Sequence, residues 1–275
     1  MTQTTDELIL DPGQGLKHYW RDMWEYRELF LFLAWRDITV RYKQTAIGVA
    51  WALIRPILIM IIFTVVFGRL AGLPSGDIPY PILVYAALLP WQLFANALSE
   101  SSNSLITNAQ MISKVYFPRL AIPTSAVAVS FIDFLLSFVI LIGLMIWYQF
   151  TPTWQIILLP LFILLASSAA LGAGLWFASL NVAYRDFRYV VPFIVQFGLY
   201  VSPVGFSSDV VPEHWRLLYS LNPMVGVIDG FRWVILGNTQ IYWPGFILST
   251  SLVVVLLSSG LWYFRKTERT FADVI

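Results

Sequence analysis

Cysteine is absent from the 275 residues, which excludes disulfides and thiolate metal sites. Charge is scarce as well: 12% of the residues are Asp, Glu, Lys or Arg, about half the roughly 25% of a water-soluble domain. With 58% hydrophobic residues and a mean hydropathy of +0.71, the main solvent of this chain is lipid. The formal net charge of +1 supplies no basic stripe for a nucleic acid. None of Lys17, Lys43, Lys114 and Lys266 follows a glycine, so the phosphate loop GxxxxGK[ST] is missing and ATP is not bound by that route. His18 and His214 fall on opposite sides of the expected membrane, and no HExxH, Gx[ST]xG or close carboxylate pair occurs. Enzymatic chemistry within the chain is not expected. The first residues, MTQTTDELILDPGQG, contain no apolar run, so no cleavable signal peptide is expected and the first span acts as its own signal.

What the chain does contain is a series of uncharged apolar runs, each near the ~20 residues a helix needs to cross a bilayer. They cover 46–68, 80–98, 120–148, 156–180, 187–206 and 244–264. Continuous apolarity, without the alternation of barrel strands, predicts an all-α membrane protein with six transmembrane helices. Lys and Arg set the orientation. With the N-terminus inside, Lys17, Arg21, Arg27, Arg36, Arg41, Lys43, Lys114, Arg119, Arg185, Arg188, Arg265, Lys266 and Arg269 are cytoplasmic, against Arg69, Arg216 and Arg232 outside. Aromatic residues agree, with Trp147, Tyr148, Trp154 and Trp243 at outer span ends and Trp51, Trp262 and Tyr263 at inner ones. The organisation read from this is a cytoplasmic segment over 1–45, a membrane domain over 46–264 and a cytoplasmic tail over 265–275.

Two elements flank the spans. From Leu31 to Lys43, Leu31, Trp35, Ile38 and Tyr42 recur at helical spacing with Arg36, Asp37, Arg41 and Lys43 on the opposite arc, which predicts an amphipathic helix lying in the interface. Between the fifth and sixth spans, about 208–237, two proline-led starts at Pro212 and Pro223 open helices too short to cross and too apolar for a free loop. They read either as a re-entrant pair dipping into the outer leaflet or as a small external cap.

Charges inside the spans are costly and are functional candidates by default. Arg55 in the first span and Asp133 in the third lie ~13 Å and ~20 Å from the inner surface at 1.5 Å per residue, a gap that one arginine side chain bridges. They are expected to pair or share a cavity, the alternative being that Arg55 snorkels to the headgroups. The run Ser167, Ser168, Ala169, Ala170, Gly172, Ala173, Gly174 suits close helix approach. Pro90, Pro123, Pro192 and Pro203 predict kinks. Phe63, Phe67, Trp91, Phe94 and Trp176 lie deeper than belt positions and suit either stacking on sugar faces in a channel or plain packing. In NAQMISKVYFPR, Met111, Ile112, Val115, Tyr116 and Phe117 surround Lys114 with more apolar surface than a loop needs. That reads as a docking surface or as a helix folded against its own spans.

The strings WRDITVRYKQTAIGVAWALIRP, SKVYFPRLAIP, NVAYRDFRYVVPF and LNPMVGVIDGFRW, in this order around six spans, resemble the permease subunit of polysaccharide ABC exporters, the group that includes the O-antigen and teichoic acid exporters. The resemblance implies a homodimer in the bacterial cytoplasmic membrane joined to two copies of a separate ATPase, which would hold the ATP and Mg while this chain carries no cofactor. It implies a glycan on a polyprenyl diphosphate as substrate. Met111, Ile112, Lys114, Val115, Tyr116 and Phe117 would form the coupling helix, and Arg36, Arg41 and Lys43 would meet the diphosphate head, although positive-inside topology alone accounts for those three. The external helices, with Trp215, Asn222, Pro223, Asp229 and Arg232, would form a periplasmic gate. The competing expectations are an ABC permease for a small hydrophobic drug or lipid, a membrane enzyme of lipid-linked sugar assembly built on Asp37, Glu100 or Asp186, and an ion-coupled transporter using Asp133.

Overall fold

The computed structural model describes residues 25–43, 48–76, 78–115, 117–184, 186–237 and 241–271. Lys17, His18, Arg21, Tyr116 and Arg185, to which the sequence reading gave parts, lie outside the described residues. Ten α-helices follow in chain order, and among the described residues there is no strand. They are α1 (Arg27–Lys43), α2 (Gly48–Phe63, continuing in wider π-helical winding through Thr64–Leu70), α3 (Tyr80–Thr107), α4 (Ala109–Ile112) and α5 (Ala121–Trp147). Then come α6 (Leu159–Ala183), α7 (Phe187–Val201), α8 (Glu213–Tyr219), α9 (Pro223–Leu236) and α10 (Trp243–Thr267).

Among the described residues five stretches are long and apolar enough to cross a membrane: Ala50–Leu70, Tyr80–Thr107, Ala121–Trp147, Trp154–Ala183 and Trp243–Thr270. The run expected to cross over 187–206 is a helix of 15 residues, α7. At 1.5 Å per residue it spans about 22 Å, short of a hydrocarbon layer of ~30 Å. Pro203 sets its end. The residue before a proline is driven out of the α region, and Ser202 is extended at ψ 154°.

The bundle is built around α3. In its most apolar stretch 83% of residues are buried inside the protein, against 17% in Ala50–Leu70, so α3 is the hub and α2 a peripheral helix. α5 and α6 pack against α3 along most of its length. On α2 and α10, Leu58, Ile62, Ile247, Val254 and Val255 stay exposed, as do the ring-bearing ends Trp51, Trp147, Trp154, Trp243 and Trp262. A soluble monomer rarely exposes so continuous an apolar surface, whereas a lipid solvent requires one.

α6 and α10 run parallel. Their contacts ascend together, from Phe162 on Phe246 (ring centroids 5.8 Å apart) through Gly172 on Gly260 to Trp176 stacked on Tyr263 at 4.1 Å. The small-residue run makes this approach, because a Cβ on Gly172 would sit 2.7 Å from the Leu257 Cα. Between the two helices, α8 and α9 form a hairpin. Its bend is tied by Ser249, which donates to the Ser220 carbonyl at 2.9 Å, six residues (249 − 243) or about 9 Å into α10. From there α9 runs back past Phe162 beside Gly230 and ends at Gly237, whose left-handed φ of 72° lies against Thr153.

Gly172→Val is expected to lower stability in detergent by about 1–3 kcal/mol, because the added methyls meet backbone that cannot retreat. Gly143, with nothing within 4 Å of a Cβ, is the control: Gly143→Ala leaves the unfolding temperature unchanged. Thermal unfolding of the two purified variants checks this.

Candidate functional site

Polar groups collect at both ends of the bundle. At the α1 end, the charged arc of α1 faces the bundle and Leu31, Phe32 and Trp35 point away from it, all exposed. Leu33 and Ala34 fasten the helix down from below. Arg36 donates to the Asn108 side chain at 2.8 Å and pairs with Asp37 at 2.7 Å. The Arg41 guanidinium lies between Asp133 of α5 and Glu100 of α3, and the Tyr42 hydroxyl donates to the other oxygen of Asp133. Arg36, Asp37, Arg41, Glu100 and Asn108 line a cavity of about 290 Å³ with Val40, Ser104, Ile122 and Val129.

Asp133, 13% exposed at its side chain, therefore takes its cation from α1 and not from the first span. The pairing expected of Arg55 is absent: Arg55 is exposed on α2, and among the described residues it forms no ion pair. The reason is register: α1 packs along α5, and Arg41 and Tyr42 reach Asp133, twelve residues (133 − 121) into that helix, before the chain enters α2. Burial would lower the Arg41 pKa, but the carboxylates of Asp133 and Glu100 raise it further, so Arg41 stays charged. Burial first, and then donation to Asp133, push the Tyr42 hydroxyl up from its ordinary value, which keeps it a donor. Of the residues assigned to a diphosphate head, Arg36 and Arg41 are already paired and Lys43 is exposed.

The patch over 111–117 is divided. Lys114 and Val115 are exposed and Met111 half-buried, whereas Ile112 and Phe117 are 4% exposed and belong to the chain's own core. The deep aromatics are packed too: Phe63 on Phe67 (5.3 Å), Trp91 on Phe94 (5.5 Å) and against Gly198, and Trp176 on Tyr263 with its indole N–H on Ser259. The exposed rings lie elsewhere, on α7, where Phe193 and Phe197 stack at 5.8 Å beside Tyr189 and Tyr200. Their spacing of three and four residues on one helix face was the signal that sequence reading passed over.

At the α9 end the fully buried Arg232 donates to three backbone carbonyls: Leu83 at 3.2 Å, Phe206 at 2.7 Å and Val204 at 3.1 Å. Asn222 caps α9 by accepting from the Met224 N–H at 3.0 Å, Pro223 fills its first position, and the Asn222 amide donates to Ser202 at 2.9 Å. Ser208 donates to Asp229 at 2.8 Å across a cavity of about 30 Å³. Trp215, 54% exposed, stands apart from this cluster. Among the described residues no three His, Asp or Glu side chains come together to hold a metal.

The whole helical core, from α1 to the end of α9, matches one family model over residues 28–236, that of the ABC-2 type transporter. The chain belongs to the ABC-2 type transporter family. It is 28% identical to the O-antigen export system permease protein RfbA of Klebsiella pneumoniae, over 90% of this chain and 95% of the relative. It is 26% identical to the protein of the same name from Myxococcus xanthus, over 93% and 98%. The polysialic acid transport protein KpsM of Escherichia coli is 23% identical over 86% and 92%. This family member is thus a multi-pass membrane protein of the permease type.

Burial pushes the Asp229 carboxyl up to about 6, against the pull of the Ser208 hydroxyl and of Arg232. A folded-state value above the unfolded one favours folding at low pH. That contribution is complete below about pH 4 and lost as pH rises through 6. The carboxyl forms part of a cavity wall, so the effect is about 1–2 kcal/mol and not the roughly 3 of a sealed site. Thermal stability in detergent should fall between pH 4 and pH 7, and Asp229→Asn should remove that component.

Proposed function

We propose that this chain is the membrane-spanning permease of an ATP-driven exporter of a lipid-linked polysaccharide, an O-antigen, a teichoic acid or a similar glycan on polyprenyl diphosphate. The observation that carries this reading is similarity along nearly the whole length to permeases named for O-antigen export. The reading assigns ATP hydrolysis, with its Mg, to a separate subunit and takes two copies of each, which agrees with a sequence that carries no phosphate loop. The exposed Lys114 and Val115 are the contact offered to that ATPase. α2, poorly buried, and α7, which carries the exposed rings Tyr189, Phe193, Phe197 and Tyr200, are the faces offered to the second copy and the glycan.

Topology follows from α6 and α10. Because they are parallel, the chain must recross between them, and α7 with the turn at 202–206 is the element that does so. This supports six crossings with both termini on one side, and the Lys and Arg excess makes that side cytoplasmic. The α8–α9 hairpin, bent about 9 Å below the start of α10, is then a re-entrant pair in the outer leaflet, with Arg232 and Asn222 holding a gate.

The lipid diphosphate approaches α1 from the cytoplasmic leaflet. Arg41 meets it by exchanging the half-exposed Glu100 for a phosphate while Asp133 keeps its place. Glu100→Gln, which removes the competitor, is expected to lower the lipid concentration that half-stimulates ATPase activity by about two- to fivefold, and Arg41→Gln to raise it. The measurement uses the permease co-purified with its ATPase. Failure of any ATPase to co-purify, or export of a small lipid with no glycan, would overturn the reading.

A further inference from the structure

Beyond α10 the chain turns through Glu268–Thr270 and folds Phe271 back onto Phe264, ring centroids 5.3 Å apart at 72°. Phe271 is 1% exposed. It shares one core with Leu33 of α1, Leu105 of α3, Ile112 of α4 and Phe117. Beside it the Arg119 N–H donates to Glu268 Oε1 at 3.0 Å, and the Arg119 guanidinium donates to the Glu268 carbonyl. A carboxylate is thereby set just ahead of α5, where the helix has unpaired N–H groups and the positive end of its dipole.

The exposed residues Ser113, Lys114 and Val115 lie between two anchors, Ile112 on one side and Phe117 to Arg119 on the other. α4 has only four residues, too few to hold a direction by its own hydrogen bonds. Its orientation is therefore set by what grips its flanks. The grip on the second flank comes from a segment about 150 residues away, as the separation of 149 between Arg119 and Glu268 records.

We propose that Glu268 to Phe271 form a clasp that fixes the Lys114–Val115 surface, with Glu268 and Phe271 as positioning residues for the ATPase contact. The identity of that partner rests on the exporter reading; the clasp rests on the contacts above. A surface that must pass a push between two proteins has to be stiff, and the clasp adds a polar tie at Arg119 to the packing of Phe117 and Leu120 on the second flank. The clasp also ties α10 to α1 through Phe271 and Leu33, so the span before the C-terminus and the interfacial helix share one seat.

Hydrogen exchange over 113–120 in the full chain tests the clasp directly, and the ratio of substrate-stimulated to basal ATPase activity in the purified complex tests what it does. Glu268→Ala is expected to speed exchange over 113–120 about tenfold, the loss of one hydrogen bond, and to lower the ratio several-fold while the complex still assembles. Glu268→Gln, whose side-chain oxygen still accepts from Arg119, should stay near the parent in both. Phe271→Ala, which removes the packing and leaves Glu268 in place, should act in the same direction as Glu268→Ala. Unchanged exchange in both alanine variants overturns the clasp, and faster exchange with an unchanged ratio overturns its role. Should no ATPase co-purify with the parent chain, the exporter reading falls while the exchange measurement still decides whether the clasp exists.

Discussion

The Arg232 guanidinium bound to three backbone carbonyls is the constraint on which the arrangement of the α9 end depends. Pro203 stops α7 early, and the chain over 202–206 is irregular backbone inside an apolar bundle. Unpaired carbonyls in such a place cost several kcal/mol each where water is excluded. Arg232 is the donor that makes the turn tolerable, and it reaches Leu83 on α3 in the same gesture. Burial lowers its pKa to about 10, still well above neutrality, so the charge persists and each bond is charge-assisted. An apolar side chain here would fill the volume and leave the Val204 and Phe206 carbonyls of the turn without this donor, whereas Leu83 keeps its place in the helical ladder of α3.

At the other end the logic is reversed. Arg41 is held by two side-chain carboxylates, one nearly sealed and one half-exposed, so its partners are unequal. The pair with Asp133 is costly to break because it would strand a carboxylate in the middle of α5. The pair with Glu100 is a surface contact of modest worth, open to exchange with another anion. On the cavity wall Arg36 and Arg41 face Asp37 and Glu100, so its charges balance, and Asp133 holds Arg41 from behind the lining. A phosphate gains there by exchange and not by simple attraction to a positive surface.

Much of this was legible in the sequence. Five of the six apolar runs correspond to stretches able to cross a membrane, since an uncharged run of sufficient length has few other fates. The helix starts at Asn222 and Pro223 were legible because capping is local chemistry. What was hidden depended on register between distant segments. Nothing local tells whether Asp133 faces Arg55 or Arg41, or that Arg232 reaches into a turn 26 residues earlier. Tyr42 was assigned to an apolar face, yet its hydroxyl is a polar tip directed at Asp133. For Phe117 and Ile112 the sequence leaves a docking surface and a helix folded against its own spans both open, because it shows apolarity without showing what covers it, and the core packing is of the second kind.

The two ends meet in α3, which contributes the Leu83 carbonyl to one cluster and Glu100 to the other. Seventeen residues (100 − 83) separate them, about 25 Å of helix. Over that length α3 is almost wholly buried, so it cannot tilt without displacing α5 and α6. Pro90 stands between the two clusters and leaves the Ala86 carbonyl without its helical donor, which is the weak point of an otherwise stiff rod. A displacement at Glu100 is therefore either carried whole to Leu83 and the Arg232 turn or absorbed as bending at Pro90. Those are the two ways in which an event beside α1 reaches α9 through this helix, and the close packing of Trp91 and Phe94 just beyond the proline favours transmission over bending.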